Sequence, residues 1–321
     1  MTEEKKKIIV EVPHRISGFF EIVDTVNGIK IENPVKIGSR GAGFNVSTLG
    51  TTEINILDFE KKRENNDVEI FINNKRYDHS AETTYYIVDY VKKLTKKPFN
   101  IRIHHSFKLP VGCGYGASGS GALGTIFGLD YLLDLKLSYH EKGKIAHIAE
   151  VENKTGLGTI CGQLSGGLCM LKEPGYPCIS ERIKIPKNIQ IVCGTFGSIH
   201  TKSILTNPIL NLRIKKEGKR ALNRLLQDPN IKTFIRESIT FVETTEILEL
   251  LELPKLKELI RSLNNLNIIG ASMNQLGRSV YAICKERKIK EVLDVIESYT
   301  PDIKISMTSI YEKKPISLRK I

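Results

Sequence analysis

Residues 110–124 read PVGCGYGASGSGALG, six glycines in fifteen positions. Gly112, Gly114 and Gly116 alternate with larger residues, and Ser118 follows two positions on. Glycine enters left-handed backbone at no steric cost, but it loses more entropy on folding and weakens any helix or strand that holds it. A run this dense is explained by what must come close to it. Without side chains in the way, backbone N–H groups can converge at the start of a helix, whose dipole favours negative charge. That is a cradle for phosphate. The alternating stretch NIRIHHSFKL precedes the loop and the apolar TIFGLDYLLDL follows it, so it joins a strand to a helix. No G-x-x-x-x-G-K-[ST] occurs, which excludes a Walker loop. Gly114, Gly116 and Gly119 do satisfy G-x-G-x-x-G. The helix, however, leads through Ser138 into a second helix, not into a strand ending in an acidic residue, so a dinucleotide site is excluded too.

The elements that must position this loop follow from periodicity. The first hundred residues are strand-rich: IIVEVP, GFFEIVD, IKIENPVKI, FNVSTLGTTEINIL, VEIFINNKRYD and NIRIHHSF alternate or are β-branched between turn residues. One helix, AETTYYIVDYVKKL, interrupts them. Helices are expected over about 118–135 and 139–153, and LSGGLCMLKEPG reads as a strand and turn. CISERIKIP and NIQIVCGTFG read as strands, amphipathic helices are expected near 203–226, 229–252, 254–265 and 271–286, and DIKISMTSIYE closes as a strand. This order predicts an α+β protein in two lobes, residues 1–180 and 181–321.

Composition narrows the function. Apolar residues make up 40% and charged residues 26%, values of an ordinary globular protein, and no run approaches the ~18 apolar residues of a membrane span. MTEEKKKIIVEVPH lacks the apolar core of a secretory signal, so a cytoplasmic protein is expected. Six scattered cysteines with no C-x-x-C pair read as reduced, buried thiols, not a disulfide framework or zinc site. The net charge is +12, and residues 213–236 alone carry eight basic against two acidic residues. No aromatics interleave with these charges and no nucleic-acid motif appears, so a solvated helix face is expected there and no nucleic-acid partner. His104 and His105 point to opposite faces of a strand and read as structural.

Pro110-x-Gly112-x-Gly114-x-Gly116-x-Ser118, opening a helix of small residues, resembles the nucleotide-binding loop of the GHMP kinases. PHRISGFFEI resembles their first motif, and IIGASMNQLGRSVYAI (268–283) a degenerate form of their third. GSRGAG (38–43), AHIAEVENKTGLG (146–158) and HTKSIL (200–205) resemble the archaeal pantoate kinase branch. The resemblance implies ATP-dependent phosphorylation of the 4-hydroxyl of pantoate, in coenzyme A biosynthesis. It also implies an N-terminal lobe with a left-handed β-α-β crossover against a ferredoxin-like C-terminal lobe, with ATP between them. Homodimerisation is left open by the residues.

By the same resemblance, the backbone of Pro110, Gly112, Gly114, Gly116, Ala117, Ser118 and Gly119 would surround the ATP phosphates, with Ser120 as the alternative hydroxyl. Ser118 and Glu150 would hold Mg²⁺. Glu152 lies two residues on and points to another helix face, so at most one of the two faces the cleft. The branch is expected to carry an aspartate after GLG, whereas this chain has Thr159. A threonine does not take and keep a proton at neutral pH, so Thr159 is expected to orient the acceptor hydroxyl. The substrate carboxylate calls for an arginine fork: Arg40 between glycines is preferred, with Arg15, His14 and Lys202 as further candidates. A kinase of homoserine, shikimate or mevalonate type, or a GHMP-fold protein that binds without catalysis, are the competing readings.

Overall fold

The computed structural model describes residues 7–58, 67–96, 99–199 and 207–320. Its spine is a long antiparallel hairpin, β1 (Lys7–Val23) on β4 (Gly38–Asp58), paired from Lys7↔Asn55 to Val23↔Gly38. The register shifts between Pro13 and His14 and again between Ser17 and Phe19. Such bulges bend a strand and re-aim its side chains. The half of β4 near its end pairs with β7 (Asn100–Phe107), while Gly41–Phe44 pair with β8 (Leu168–Leu171), which pairs in turn with β9 (Ser180–Ile183). β5 (Val68–Ile72) runs parallel to β7 and is joined to it through α1 (Glu82–Thr95). β6 (Lys75–Arg76) and β14 (Ser317–Lys320) close the two edges, and β2 (Thr25–Val26) with β3 (Ile29–Lys30) form a small separate ribbon.

Three helices follow β7: α2 (Ala117–Leu133), α3 (Tyr139–Glu152) and the short α4 (Thr159–Ser165). α2 is apolar all round and nearly wholly buried, as a helix sandwiched between sheet and helices must be. Its glycines let it settle onto the sheet: a Cβ on Gly124 would collide with Thr52, and one on Gly128 would meet Ile54 Cδ1 at 2.6 Å. α3 starts with a capping box, Ser138 Oγ accepting from the Glu141 amide at 3.1 Å while the Ser138 amide donates to Glu141 Oε2 at 2.7 Å.

The second sheet is β10 (Ile189–Gly197), β11 (Gly270–Met273), β12 (Arg278–Lys285) and β13 (Lys304–Thr308), all antiparallel in the order β11-β12-β10-β13. Helices α5 (Pro208–Gln227), α6 (Ile231–Thr245), α7 (Ile247–Leu250) and α8 (Pro254–Asn264) lie between its first two strands, and α9 (Ile289–Glu297) before its last. Helical connections after the first and third strands, in this strand order, make a ferredoxin-like lobe.

Two apolar cores meet along the hairpin. Ile8, Val10, Val12 and Ile54 pack with α1 and α2, whereas Ile16, Phe19 and Phe44 pack with Phe234 and Tyr281 of the second lobe. Phe44 sits edge-on to Tyr281 with ring centroids 5.4 Å apart. The expected division at residue 180 cuts through β9, and β14 returns to pair with β1, so the first sheet draws on chain from both sides of the second lobe.

Several expectations need correction. Residues 271–286 are no helix but the β11–β12 hairpin. The run Val280–Cys284 is wholly buried, with Phe44 and Phe234 packed on Tyr281, and an apolar run buried on both sides carries no period to tell strand from helix. IKIENPVKI contributes only Ile29–Lys30 to a strand. The helix expected over 229–252 breaks at Glu246, whose φ is +52°. α4 was not foreseen. Cys161 and Cys178 form a disulfide, while Cys113, Cys169, Cys193 and Cys284 are free and buried. The β8–β9 turn folds Cys178 back over α4, a proximity that a sequence separation of 17 does not announce. In the basic segment Lys215, Arg220, Arg224 and Arg236 pair with Asp24, Glu217 and Glu237.

His104 stacks on Phe71, whereas His105 is buried and bridges two elements: Thr52 of β4 lies 2.9 Å from Nδ1 and Thr84 of α1 3.0 Å from Nε2. Burial holds His105 at about 3 and His14 at about 4, against 6.5 for a free imidazole. Both are neutral in the native protein, while the unfolded chain takes up their protons below about pH 6.5. Their stabilisation is therefore complete above pH 6.5 and is lost progressively as the pH falls towards 4 and 3. In His105→Gln, which keeps a donor and an acceptor between the threonines, unfolding should take up one proton fewer over this window. Urea midpoints at several pH values from 6.5 to 4 should show an acid slope shallower by about 1.4 kcal/mol per pH unit. Parallel slopes would count against the buried neutral histidine.

Candidate active site

A cavity of about 380 Å³ opens where the lobes meet. The glycine loop forms its floor. Gly112, Gly114 and Gly116 have φ of +74°, +86° and +65°, so the alternation in the sequence is an alternation of left-handed turns that other residues adopt only under strain. Gly116 is the N-cap of α2.

What holds the loop is its carbonyl oxygens. Gly112 O accepts from the Ile199 amide at 2.9 Å. Cys113 O accepts from Ser279 Oγ at 2.7 Å and Asn274 Nδ2 at 3.2 Å, both from the second lobe. Tyr115 O accepts from the Arg15 amide at 3.0 Å and from His14 Nδ1–H at 3.1 Å. Gly116 O accepts from Gln163 Nε2 at 3.0 Å, and that amide also donates to Pro13 O and Ser120 Oγ. Tyr115 OH adds a 2.8 Å contact to Thr195 of β10. The amides are another matter: among the described residues none from Gly112 to Gly119 meets an acceptor. The loop is anchored by its acceptors and presents its donors.

Glu150 stands beside the first turn of α2. It is 1% exposed, while Glu152 points to solvent. Thr155 Oγ1 donates to its Oε1 at 2.8 Å, and Oε2 has no hydrogen-bond partner among the described residues. Burial pushes the Glu150 carboxyl above its usual range; the hydroxyls of Ser118, Thr155 and Thr159 beside it work the other way. A Cβ on Gly156 would run into Oε2 and lie 2.8 Å from Thr159 Oγ1, so this glycine leaves room for the carboxylate and places Thr159 next to it. One carboxylate oxygen with a free lone pair and two nearby hydroxyls form a hard oxygen set. It suits a magnesium-like cation whose remaining positions are filled by phosphate and water.

The β1–β4 hairpin makes the opposite wall. Arg15 is 3% exposed, and Nη1 lies 3.5 Å from Asn45 Oδ1 and 3.4 Å from Cys169 Sγ, with no carboxylate paired to it among the described residues. Gly162 gives it space, since a Cβ there would strike the guanidinium. Arg40 also lines the cavity, but Glu21 Oε2 engages it at 2.9 Å from Nε and 2.7 Å from Nη2. Ser17, Phe19, Phe20, Gln275 and Leu276 complete this end.

The structure thus brings Gly112, Gly114, Gly116, Ala117, Ser118, Thr159, Arg15 and Arg40 to one cavity, with Glu150 behind Gly156. Pro110, Gly119 and Ser120 do not line it; Ser120 Oγ turns inward to Pro13 O at 3.2 Å. His14 lies outside it as well, a neutral ring spent on Tyr115 O and packed on Phe107. Lys202 lies outside the described residues. Sequence reasoning missed Gln163, Gln275, Asn274 and Ser279. The available signal was chemical: amides and hydroxyls amid apolar residues need partners, and the loop's carbonyls are partners for three of the four.

Residues 82–167 match the model of the GHMP kinases N terminal domain. The chain is 32% identical to the pantoate kinase of Methanocaldococcus jannaschii over 286 residues, covering 89% of this chain and 96% of that one. It is 28% identical to the pantoate kinase of Thermococcus kodakarensis over 308 residues, covering 95% and 96%. A solved structure described as a phosphotransferase related to the CoA biosynthesis pathway superposes with a TM-score of 0.82 at 25% identity, over 98% of this chain and 99% of the other.

A carboxylate whose pKa is raised by folding destabilises the native state above its unfolded pKa and costs nothing below it. Glu150→Gln should therefore raise the unfolding midpoint of the ligand-free protein at pH 7, and the gain should shrink towards zero at pH 4. Chemical denaturation at the two pH values tests this; a variant less stable than wild type at pH 7 would mean that the charge is compensated.

Proposed function

The chain belongs to the pantoate kinase family of GHMP kinases, and on that premise we propose that it transfers the γ-phosphoryl group of Mg·ATP to the 4-hydroxyl of pantoate, giving 4-phosphopantoate in coenzyme A biosynthesis. One observation carries the reading beyond family membership. A donor-lined phosphate cradle and a buried arginine with no counter-ion among the described residues face the same cavity. A substrate with a carboxylate at one end and a phosphorylatable hydroxyl at the other fits between them.

Phosphoryl transfer asks a protein mainly for positioning and charge neutralisation. The amides of Gly112 to Ala117 hold the phosphates, backed by the N-terminus of α2. Ser118 and Glu150 are the residues that would hold Mg²⁺, which neutralises phosphate charge when bound. Thr159, at the start of α4 beside Glu150, accepts or donates a hydrogen bond to the acceptor hydroxyl and so aims it. In a loose transition state the bond to the attacking oxygen is barely formed, so little positive charge builds there. Its proton leaves late, to an oxygen of the transferred phosphoryl group or to water, and an aligned threonine then serves where a base would be expected. Arg15 takes the substrate carboxylate. Arg40 is less suited than its flanking glycines suggest, because a ligand would have to compete with Glu21. The wall of Phe19, Phe20 and Leu276 meets the two methyl groups on C3 of pantoate.

Purified protein with Mg·ATP and pantoate should release ADP and form 4-phosphopantoate, with homoserine, shikimate and mevalonate as poor acceptors. Arg15→Ala should raise the KM for pantoate by about a hundredfold or more with the KM for ATP little changed, as expected for loss of a buried charged partner. Arg40→Ala should cost less than tenfold, and Glu150→Ala should abolish turnover. Nucleotide binding without turnover on any acceptor would favour a binding protein on the same fold.

A further inference from the structure

Among the described residues that line the cavity, Gln275 is set apart by a buried side-chain amide with both ends unpaired. It sits in the β11–β12 turn, is 6% exposed, and lines the cavity wall. Among the described residues, neither its side-chain oxygen nor its nitrogen has a hydrogen-bond partner. Buried amides are almost always satisfied, and one left with both ends free carries the uncompensated cost of desolvating each. Its backbone is not loose: the Gln275 amide donates to Ser17 O at 3.1 Å, fixing the residue on β1. The preceding Asn274 differs in that its Nδ2 donates to the Cys113 carbonyl at 3.2 Å, leaving only its Oδ1 without a partner among the described residues.

The position of Gln275 relates it to Arg15. Ser17, which holds the Gln275 backbone, is paired in register with Gly43. A Cβ on Gly43 would lie 2.9 Å from Ser17 Cα and 3.1 Å from Arg15 Nη2. The guanidinium and the anchor point of Gln275 thus flank the same cross-strand pair. Arg15 and Gln275 line the same cavity, so one small ligand can engage both.

Resting on the pantoate reading above, we propose that Gln275 recognises the 2-hydroxyl of the acceptor, so that the substrate end of the cavity is built for an α-hydroxy acid. A hydroxyl both donates and accepts, and a primary amide offers the complementary pair. Oε1 accepts the hydroxyl proton, while Nε2–H donates to the hydroxyl oxygen or to the neighbouring carboxylate. A 2-oxo acid offers no donor, and a 2-deoxy acid offers neither group, so each leaves part of the amide as unpaired as it is in the empty site. Sites built around a substrate hydroxyl reject analogues lacking it far more strongly than apolar pockets reject a missing methylene.

The test compares pantoate with 4-hydroxy-3,3-dimethylbutanoate, which lacks only the 2-hydroxyl, in the wild type and in Gln275→Leu. For pantoate, kcat/KM should fall about 10- to 1,000-fold in the variant, with the KM for ATP within about twofold of wild type. For the deoxy analogue the two proteins should agree within about twofold. The ligand-free variant should melt no lower than wild type, because leucine removes two unpaired polar atoms; a residue needed for folding would show the opposite. Gln275→Asn gives the same kinetic contrast should the leucine variant not fold. Unchanged pantoate kinetics, or equal losses on both acceptors, would overturn the assignment while leaving the kinase intact. Failure of the wild type to phosphorylate pantoate would overturn the function and this assignment together.

Discussion

A phosphate cradle has to be rigid and yet keep its N–H groups unused, and this constraint organises the rest of the structure. Secondary structure cannot supply the rigidity, because a ladder would consume the donors. Here the loop is tied through its acceptors instead. Gly112 O, Cys113 O, Tyr115 O and Gly116 O take hydrogen bonds from four separate segments, including β1, α4 and the β11–β12 hairpin. The bulge in β1 at Pro13/His14 brings the Arg15 amide to Tyr115, α4 supplies Gln163, and the second lobe supplies Ser279 and Asn274. Elements remote in sequence are thus fixed around fifteen residues whose own composition favours disorder.

The cavity also keeps charges that a purely structural protein would have neutralised. Arg15 and Glu150 are both nearly inaccessible and neither has a partner of opposite sign among the described residues. Charged groups are expensive to bury without such a partner. Surface charges in the same protein are treated differently: Lys215 finds Asp24, and Arg40 finds Glu21. On the proposed reading, with Arg15 taking a carboxylate and Glu150 a metal ion, the two would impose direction on a ligand that carries the complementary groups. The ligand-free fold is less stable for it.

The cradle was legible in the sequence because its requirement is local. Left-handed backbone at 112, 114 and 116 demands glycine at those positions and nowhere between, and that spacing survives in the bare text. Glu150 was legible by resemblance, and its burial could not have been read from a helix with little amphipathic contrast. The choice between Arg15 and Arg40 was not legible. It depends on the β1–β4 register, which sets Glu21 opposite Arg40 and the uncharged Asn45 opposite Arg15. The β11–β12 hairpin was mistaken for a helix because burial on both faces erases the two-residue period. Cys161 and Cys178, like Gln163 and the carbonyls it serves, meet only through chain reversal, and nothing in their immediate neighbours encodes it.

The hairpin's membership in both apolar cores has a calorimetric consequence. Val12 belongs to one core and Ile16, four residues along the same strand, to the other. Melting either lobe alone would strip one end of a continuous ladder and pull the cradle's anchors from the remaining lobe. The two lobes are accordingly expected to share one heat-absorption peak, with a van 't Hoff enthalpy that matches the whole chain and not half of it.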